Sequence, residues 1–278
     1  MYGNNNSNVN FATGEIMKNR VKQMLEQGKV TIGGWISIAH ADCAEIMANA
    51  GFDWIVFDME HCPLTIQDVE NLIPAVKGTN CVPIIRVAWN DAVLIKLALD
   101  VGAYGVIVPF VNTKQDALNA IKACRYPPNG VRGVYPRRAS NYFIELEEYI
   151  ASADEETMVI PQIETNEAVM NIEEILSVKG ISAFLIGPMD LSASLGLIRT
   201  GPTHPRFTEA IDRILHAGRK AKVPAGIWGG SVEKTSNYID QGFQFIALCA
   251  DTDLLLRARD DLANIRKQLE SRGRSSER

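Results

Sequence analysis

The sequence predicts a single (β/α)8 TIM barrel, an α/β fold class that follows from three observations. Eight short runs rich in β-branched and other apolar residues recur along the chain, at 31–38, 54–60, 82–88, 105–111, 158–164, 182–189, 223–228 and 243–250. Segments with a helical spacing of apolar residues separate these runs, and such alternation is typical of buried parallel strands. Eight units in 278 residues fit a closed barrel better than an open sheet, and no GxGxxG motif follows the first strand.

A helix is predicted after each strand, over 42–51, 66–78, 91–102, 113–125, 166–178, 204–221, 232–242 and 251–270. Several of these segments close on a glycine, as helix C-caps require: Gly51, Gly78, Gly102 and Gly242. Helix N-caps are predicted at Asp91, Thr113 and Ser231.

The interval 125–157 interrupts the alternation between the fourth helix and the fifth strand. It contains a Pro-Pro-Asn-Gly turn, an Arg-rich loop and a short acidic helix. Loops of this length inside a compact domain are usually functional or contact another subunit. The predicted organisation is a polar N-terminal arm with a first helix over 1–28, the barrel over 29–270 and a polar tail over 271–278.

Composition excludes several classes of partner. The formal net charge of −5 and the lack of a sustained basic stripe argue against nucleic acid. No run reaches the roughly 18 apolar residues of a membrane span, and the N-terminus lacks the apolar core of a signal peptide.

The five cysteines include no CxxC pair, which predicts reduced thiols in a cytoplasmic protein. One of them, Cys62, lies beside the polar group described next, and a reactive role for it stays open.

Polar and ionisable residues close several of the predicted strands. They are Asp58, Glu60 and His61 after the second strand, Arg86 after the third, Gln162 and Glu164 after the fifth, and Asp190 after the sixth. Barrel enzymes carry their catalytic residues at the C-terminal ends of the strands. An unpaired buried charge costs several kcal/mol or more. Several ionisable residues at one end of the barrel therefore indicate that they pair with each other or bind a ligand.

The carboxylates Glu164 and Asp190 are predicted to hold a divalent cation. Two hard oxygen ligands, with water filling the other positions, suit Mg²⁺ or a similar ion. Either residue could instead cap a helix, Glu164 the one near Asn166 and Asp190 the segment "LSASLG". Gln162 shares the inward face with Glu164 because strand side chains alternate with a period of two.

The neighbouring residues indicate enolate chemistry on a small 2-oxo acid. His61 stands among carboxylates and is the predicted general base. Arg86 ends an apolar strand, where its fork suits a carboxylate or a developing enolate. The turn "GPMD" at 187–190 exposes backbone N–H groups that can hold a small carboxylate. A Schiff-base mechanism is disfavoured because Lys96 and Lys114 lie in helical segments.

Several motifs together resemble the HpcH/HpaI aldolase family from about Gly33 to about Arg266. They are "GFDWIVFDMEH", "RVAWND", "LALDVGAYGVIVPFV", "RYPPNGVRGV", "QIET" and "IGPMDLSASLG". The resemblance implies a class II pyruvate aldolase with Glu164 and Asp190 as ligands of Mg²⁺, or of Mn²⁺ or Co²⁺. It also implies that His61 is the base acting through water, that Arg86 steadies the enolate, and that the backbone of Met189 and Asp190 binds the pyruvate carboxylate.

The resemblance further implies that Asp100 supports the histidine, and that the protein is a hexamer, a dimer of trimers, with an exchanged C-terminal helix at about 252–269. The predicted substrate-binding residues are Arg86, Gln162, Gly187, Met189, Asp190 and Trp35. Glu60 is expected near waters of the metal, and Asp58 as an orienting partner. Three features depart from the family pattern, namely Met189, Trp228 and the loop 134–143, whose Arg137 or Arg138 could meet an acidic substrate.

The predicted function is the reversible cleavage of a 4-hydroxy-2-oxo acid into pyruvate and an aldehyde. The alternatives are an oxaloacetate decarboxylase or a macrophomate-synthase-like enzyme that uses the same enolate, and a non-catalytic barrel that serves as a binding protein. The motifs do not identify the aldehyde.

Overall fold

The computed structural model describes residues 18–276. Its centre is a closed barrel of parallel strands in which each strand pairs with the next along the chain and β8 pairs with β1. The strands are β1 (Thr31–Ile36), β2 (Trp54–Asp58), β3 (Val82–Arg86), β4 (Gly105–Val108), β5 (Met158–Ile163), β6 (Phe184–Ile186), β7 (Ala225–Trp228) and β8 (Phe245–Ala250). The predicted fold class is confirmed.

Helices surround the barrel. They are α1 (Arg20–Glu26), α2 (Ala41–Asn49), α3 (Ile66–Val76), α4 (Ala92–Asp100), α5 (Lys114–Cys124), α6 (Leu146–Glu156), α7 (Asn166–Met170), α8 (Ile172–Leu176), α9 (Pro188–Ser194), α10 (Pro205–Ala221), α11 (Val232–Gln241) and α12 (Asp251–Ser276), with a 3₁₀ turn at Gly201–Thr203. The helix predicted over 166–178 is divided at Asn171. The strand predicted over 182–189 stops at Ile186, because Pro188 begins α9 at a position where a helix needs no N–H.

Helix ends follow the predicted capping pattern. The side chains of Asp91, Thr113 and Ser231 each accept a hydrogen bond from a backbone N–H in the first turn of their helix. All four predicted C-terminal glycines have positive φ, between 85° at Gly78 and 109° at Gly102. These caps are therefore confirmed.

The barrel interior is filled by large side chains. The rings of Trp54 and Phe245 stack with their centroids 3.9 Å apart. The Trp54 ring packs against Gly33, which has no side chain. A Cβ at Gly33 would lie 2.1 Å from the ring. The packed interior closes the barrel, so polar chemistry is confined to its ends.

The two ends of the barrel differ. The interval 125–157 joins the end of α5 to the start of β5, so it covers the end of the barrel at which the strands begin. Asn19, just before α1, is tied to the same end, because its Nδ2 donates to the carbonyls of Tyr104 and Glu156. The opposite end, where the strands finish, carries the predicted site residues.

The last helix, α12, projects from the barrel. Its first residue, Asp251, accepts hydrogen bonds from the backbone N–H groups of Ser37 and Ile38. Farther along, several apolar side chains are exposed: Leu255, Leu262, Ile265 and Leu269. The helix continues to Ser276, so the segment predicted as a polar tail from 271 is helical as far as it is described. Most of the N-terminal arm, 1–17, and residues 277–278 lie outside the described residues.

No helix within residues 18–276 is both long and apolar enough to cross a membrane.

Candidate active site

The site is organised by an ion pair between the last residues of two neighbouring strands. Asp58 ends β2 and Arg86 ends β3, and the parallel register makes them direct partners. Arg86 Nε lies 2.8 Å from Asp58 Oδ1 and Nη2 lies 2.7 Å from Oδ2. This bidentate geometry fixes the plane of the guanidinium group.

Asp58 also organises the loop that follows β2. Its Oδ1 accepts hydrogen bonds from the backbone N–H groups of Glu60 at 3.0 Å and His61 at 3.4 Å. Burial alone would raise the pKa of Asp58, but the hydrogen bonds and charge of Arg86 hold it below its usual value. Asp58 is therefore the orienting partner that the sequence predicted, although it orients Arg86 as well as the loop.

Arg86 presents one nitrogen to the interior of the site. Its Nη1 lies 3.1 Å from Glu60 Oε2 and 3.4 Å from Gln162 Oε1. The guanidinium carbon lies 5.0 Å from the centre of the Trp35 ring, a cation–π contact. Trp35 is only 6% exposed and meets Trp228 edge-on, with centroids 5.7 Å apart. Trp35, predicted to bind substrate, therefore lies against Arg86 and contributes little open surface.

His61 lies between carboxylates from opposite sides of the barrel end. Its Nε2 is 3.7 Å from Glu60 Oε2 and 4.0 Å from Asp190 Oδ2. The His61 side chain is 56% exposed, so water reaches it. The structure thus brings together the predicted base and one of the two predicted metal ligands.

Glu164 is the most deeply buried carboxylate of the group. Its Oε1 accepts the backbone N–H of Phe110 at 2.8 Å, and Gln162 Nε2 donates to its Oε2. Phe110 has a φ of 52°, in the left-handed region that residues other than glycine rarely adopt. Gln162 also reaches Glu60 Oε2 at 3.4 Å. Together Phe110 and Gln162 fix Glu164 toward the site.

Burial and repulsion from neighbouring carboxylates disfavour the charged forms of Glu164 and Glu60. Burial raises the pKa of Glu164 to about 7, and the charges of Glu60 and Asp190 add to the rise, although hydrogen bonds from Phe110 and Gln162 oppose it. Burial likewise raises the pKa of Glu60, with Asp58 and Asp190 adding to the rise while Arg86 opposes it. Within the described residues, Arg86 lowers the pKa of Glu60, while no cationic side chain offsets the rise at Glu164. A further positive charge would therefore stabilise the group.

The donor set fits a divalent cation held by two carboxylates. No group of three or more His, Cys, Asp or Glu side chains in the described part of the chain has the geometry of a complete metal site. The predicted ligands Glu164 and Asp190 are two carboxylates, so an ion held by them would take water or substrate as its other ligands. The Glu164 carboxylate can take this position because Gly187 lacks a side chain; a Cβ at Gly187 would lie 2.7 Å from Glu164 Oε2.

The "GPMD" turn lies at the same end of the barrel. Gly187 is the N-cap of α9 and supplies no side-chain cap to the first turn. The backbone N–H groups of Met189 and Asp190 lie in that turn, where they have no partner within the helix. The Met189 side chain is exposed, which places it at the rim rather than inside the site.

Asp100 lies apart from the other predicted site residues of its own chain. The catalytic role predicted for it requires contact with His61, but Asp100 ends α4, the helix that returns to the start of β4. It therefore lies at the opposite end of the barrel from His61. There it accepts a hydrogen bond from Arg132 Nη2 at 2.7 Å. Within one copy of the chain, Asp100 does not support the histidine.

The loop 134–143 is also absent from the site of its own chain. Arg137 pairs with Glu70 on α3 at 2.9 Å, and both Arg137 and Arg138 lie over the ring of Tyr142. The loop belongs to the insertion at the end where the strands begin. Within one copy, both arginines therefore lie away from the end of the barrel that carries His61 and Arg86, and their contact with an acidic substrate stays a prediction.

Two contacts of the site were not predicted from the sequence. The Phe110 N–H is a backbone donor, and no residue type signals that a backbone group will point at a carboxylate. The thiol of Cys62 lies 3.1 Å from Asp58 Oδ2. Its position beside His61 was visible in the sequence, but its partner depends on how the loop folds back.

Comparison with known proteins agrees with this geometry. The model of the HpcH/HpaI aldolase/citrate lyase family matches residues 31–258. A 4-hydroxy-2-oxo-heptane-1,7-dioate aldolase of Salmonella dublin is 39% identical over 248 residues, which cover 89% of this chain and 94% of the relative. A relative from Salmonella typhimurium has the same name, identity and coverage.

Solved structures extend the comparison. An HpcH/HpaI aldolase/citrate lyase family protein of Burkholderia cenocepacia is 34% identical with a TM-score of 0.84, covering 90% of this chain and 100% of that one. The citrate synthase SbnG is 28% identical with a TM-score of 0.80, covering 91% and 100%. Macrophomate synthase is 25% identical with a TM-score of 0.80, covering 90% and 89%.

The Asp58–Arg86 pair generates a stability prediction. Asp58→Asn removes the charge that Arg86 faces in a buried position, and we expect a loss of about 3 kcal/mol in the free energy of unfolding. Urea denaturation followed by circular dichroism measures it. Glu173→Gln, which removes one partner of the exposed pair with Lys220, is the control and should leave the midpoint unchanged. Equal midpoints for both variants would contradict the central role of the pair.

Proposed function

This chain belongs to the HpcH/HpaI aldolase/citrate lyase family, and from that premise we propose that it is a divalent-metal-dependent aldolase. The proposed reaction is the reversible cleavage of a 4-hydroxy-2-oxo acid into pyruvate and an aldehyde. One observation carries the proposal: Arg86 Nη1, His61 and the carboxylates of Glu60, Glu164 and Asp190 converge at the end of the barrel where the strands finish. We also propose a cytoplasmic location, and the five unpaired cysteines support it.

Each side chain has a distinct role in the proposed reaction. Glu164 and Asp190 would hold the cation, which when bound supplies Lewis acidity to the 2-oxo group. Arg86 donates from Nη1 to the 2-oxo oxygen, because Asp58 already occupies its Nε and Nη2. This contact strengthens as the oxygen gains negative charge in the enolate. The N–H groups at the start of α9 bind the substrate carboxylate.

His61 removes the proton that starts cleavage. Acting through a water molecule, it takes the proton of the 4-hydroxyl group as the C3–C4 bond breaks. The hydroxyl-bearing carbon becomes the aldehyde, and the electron pair of the broken bond forms the pyruvate enolate. Protonation of the enolate at C3 then gives pyruvate. The exposure of His61 provides the water and the path for the aldehyde to leave.

A second candidate is another reaction of the same enolate. The family includes structures named as a citrate synthase and as macrophomate synthase, both at least 25% identical to this chain. Oxaloacetate decarboxylation would need the same cation, Arg86 and carboxylate-binding turn, but it would not need His61 to take a hydroxyl proton.

A substrate panel tests the proposed function. The purified protein with Mg²⁺, Mn²⁺ or Co²⁺ is assayed for pyruvate release from 4-hydroxy-2-oxo acids of different chain length and from oxaloacetate. We expect release from at least one hydroxy-oxo acid, loss of activity with EDTA, and recovery when the metal returns. Release from oxaloacetate alone would favour the decarboxylase. Full activity after removal of the metal would contradict the mechanism.

Two substitutions separate the base from the metal ligands. His61→Ala should lower kcat for aldol cleavage by about 10²–10⁴-fold while metal titration by calorimetry stays close to that of the unaltered protein. Glu164→Gln should weaken metal binding at least tenfold, because one of two carboxylate ligands is lost. Wild-type turnover in His61→Ala, or an unchanged titration in Glu164→Gln, would refute the assigned role.

We also propose that the chain assembles into the hexamer implied by its family and that Asp100 acts across copies. Two features support this. Asp100 lies at the wrong end of its own barrel to meet His61, and α12 carries an exposed apolar stripe that a second copy would cover. Arg132 holds Asp100 in place from a fully buried position.

Mixed oligomers test the shared site. His61→Ala and Asp100→Ala chains with different affinity tags are co-expressed, and the hybrids are purified through both tags. In the hybrids, a site is complete when its His61 comes from an Asp100→Ala chain and its Asp100 comes from a His61→Ala chain. With random mixing of equal amounts, about one quarter of the sites meet both conditions, so about one quarter of the activity should return. Each variant alone is the control, and light scattering gives the size of the assembly. Hybrids no more active than the average of the two controls would refute the shared site.

A further inference from the structure

Cys62 is a half-buried thiol that lies against the central carboxylate of the site. Its Sγ is 3.1 Å from Asp58 Oδ2. Burial, and then the hydrogen bond to Asp58, raise the pKa of this thiol to about 12. The group therefore remains protonated and acts as a donor to the carboxylate.

The hydrogen bonds of Asp58 show what this donor contributes. An ionised carboxylate has about four lone-pair positions. Oδ1 accepts from Arg86 Nε and the Glu60 N–H, with the His61 N–H farther away at 3.4 Å. Oδ2 accepts from Arg86 Nη2 and Cys62 Sγ. Cys62 is the second donor to Oδ2, and Asp58 is only 2% exposed, so water has little access to replace it.

The position of the thiol determines the orientation of the carboxylate. Arg86 donates to both oxygens from one side, while Glu60 and Cys62 donate from the loop that follows β2. Rotation of the carboxylate would break contacts on both sides at once. The same orientation leaves Arg86 Nη1 facing Glu60 and Gln162.

We propose that Cys62 is a positioning residue of the aldolase site, whose S–H holds the Asp58 carboxylate in the plane that directs Arg86 Nη1 toward the 2-oxo acid. The role of Arg86 in this statement rests on the proposed function. The contact between Cys62 and Asp58 does not.

Three substitutions test the proposal by activity. Cys62→Ala removes the donor and should lower kcat/KM about threefold to tenfold, the usual effect of losing one modest hydrogen bond. Cys62→Ser keeps a donor at this position and should stay within about twofold of the unaltered protein. Cys43→Ala, which changes another partly buried cysteine, is the control and should have no effect. Equal losses in Cys62→Ala and Cys62→Ser would overturn the proposal, since a donor would then not matter.

A measurement on Arg86 itself separates this proposal from the proposed function. The Nε–H of Arg86 donates to Asp58, and its ¹⁵N resonance is identified by its absence in Arg86→Lys. Its exchange with solvent should become at least about tenfold faster in Cys62→Ala and return to the original rate in Cys62→Ser. An unchanged rate in Cys62→Ala would refute the positioning role. If the unaltered protein cleaves no hydroxy-oxo acid, the proposed function fails, but this exchange rate still decides the role of Cys62.

Discussion

The pairing of Asp58 with Arg86 is the interaction on which the rest of the site depends. The parallel register of β2 and β3 makes these residues neighbours, so the barrel itself sets their separation. Two of the three guanidinium nitrogens are engaged by Asp58, which leaves Nη1 to face the site. The same carboxylate orders the backbone that carries Glu60 and His61. Because removal of one member of a buried pair costs about 3–5 kcal/mol, stability and the geometry of the site are linked through one contact.

The carboxylates around this pair outnumber the cationic side chains that contact them within the described residues. Glu60 shares Arg86 with Asp58, while Glu164 relies on the Phe110 N–H and on Gln162. Neutral donors stabilise a carboxylate less than a full positive charge does. Burial and repulsion accordingly raise the pKa values of Glu164 and Glu60. A cation bound by Glu164 and Asp190 would offset this repulsion. The packed barrel interior, formed by Trp54, Phe245 and Gly33, supports the strand ends that carry these carboxylates.

The sequence was informative wherever structure depends on local pattern. Strand positions follow from apolar runs, helix ends from Asp91, Thr113 and Ser231, and the location of His61 and Glu164 from their place after a strand. It was weaker where structure depends on pairing between distant segments. The partner of Asp58 depends on the register of β2 and β3, and the donor to Glu164 depends on the backbone angle of Phe110. The role of Asp100 stays a prediction, because Asp100 ends α4 at the end where the strands begin, and its contact with His61 depends on how copies of the chain approach each other.

The insertion gives Asp100 a fixed position at the end where the strands begin. Arg132 is fully buried, its Nη2 binds Asp100 and the hydroxyl of Tyr149, and the ring of Tyr126 lies 4.7 Å from its guanidinium carbon. A carboxylate anchored in this way cannot swing toward a distant site, so any catalytic use of it requires another copy to approach. In the proposed assembly, the interval 125–157 would serve to hold Asp100, through Arg132, at the end of the barrel opposite His61 and Arg86. Assembly would thereby become a condition for activity, because each barrel would supply the base to one site and its supporting carboxylate to another.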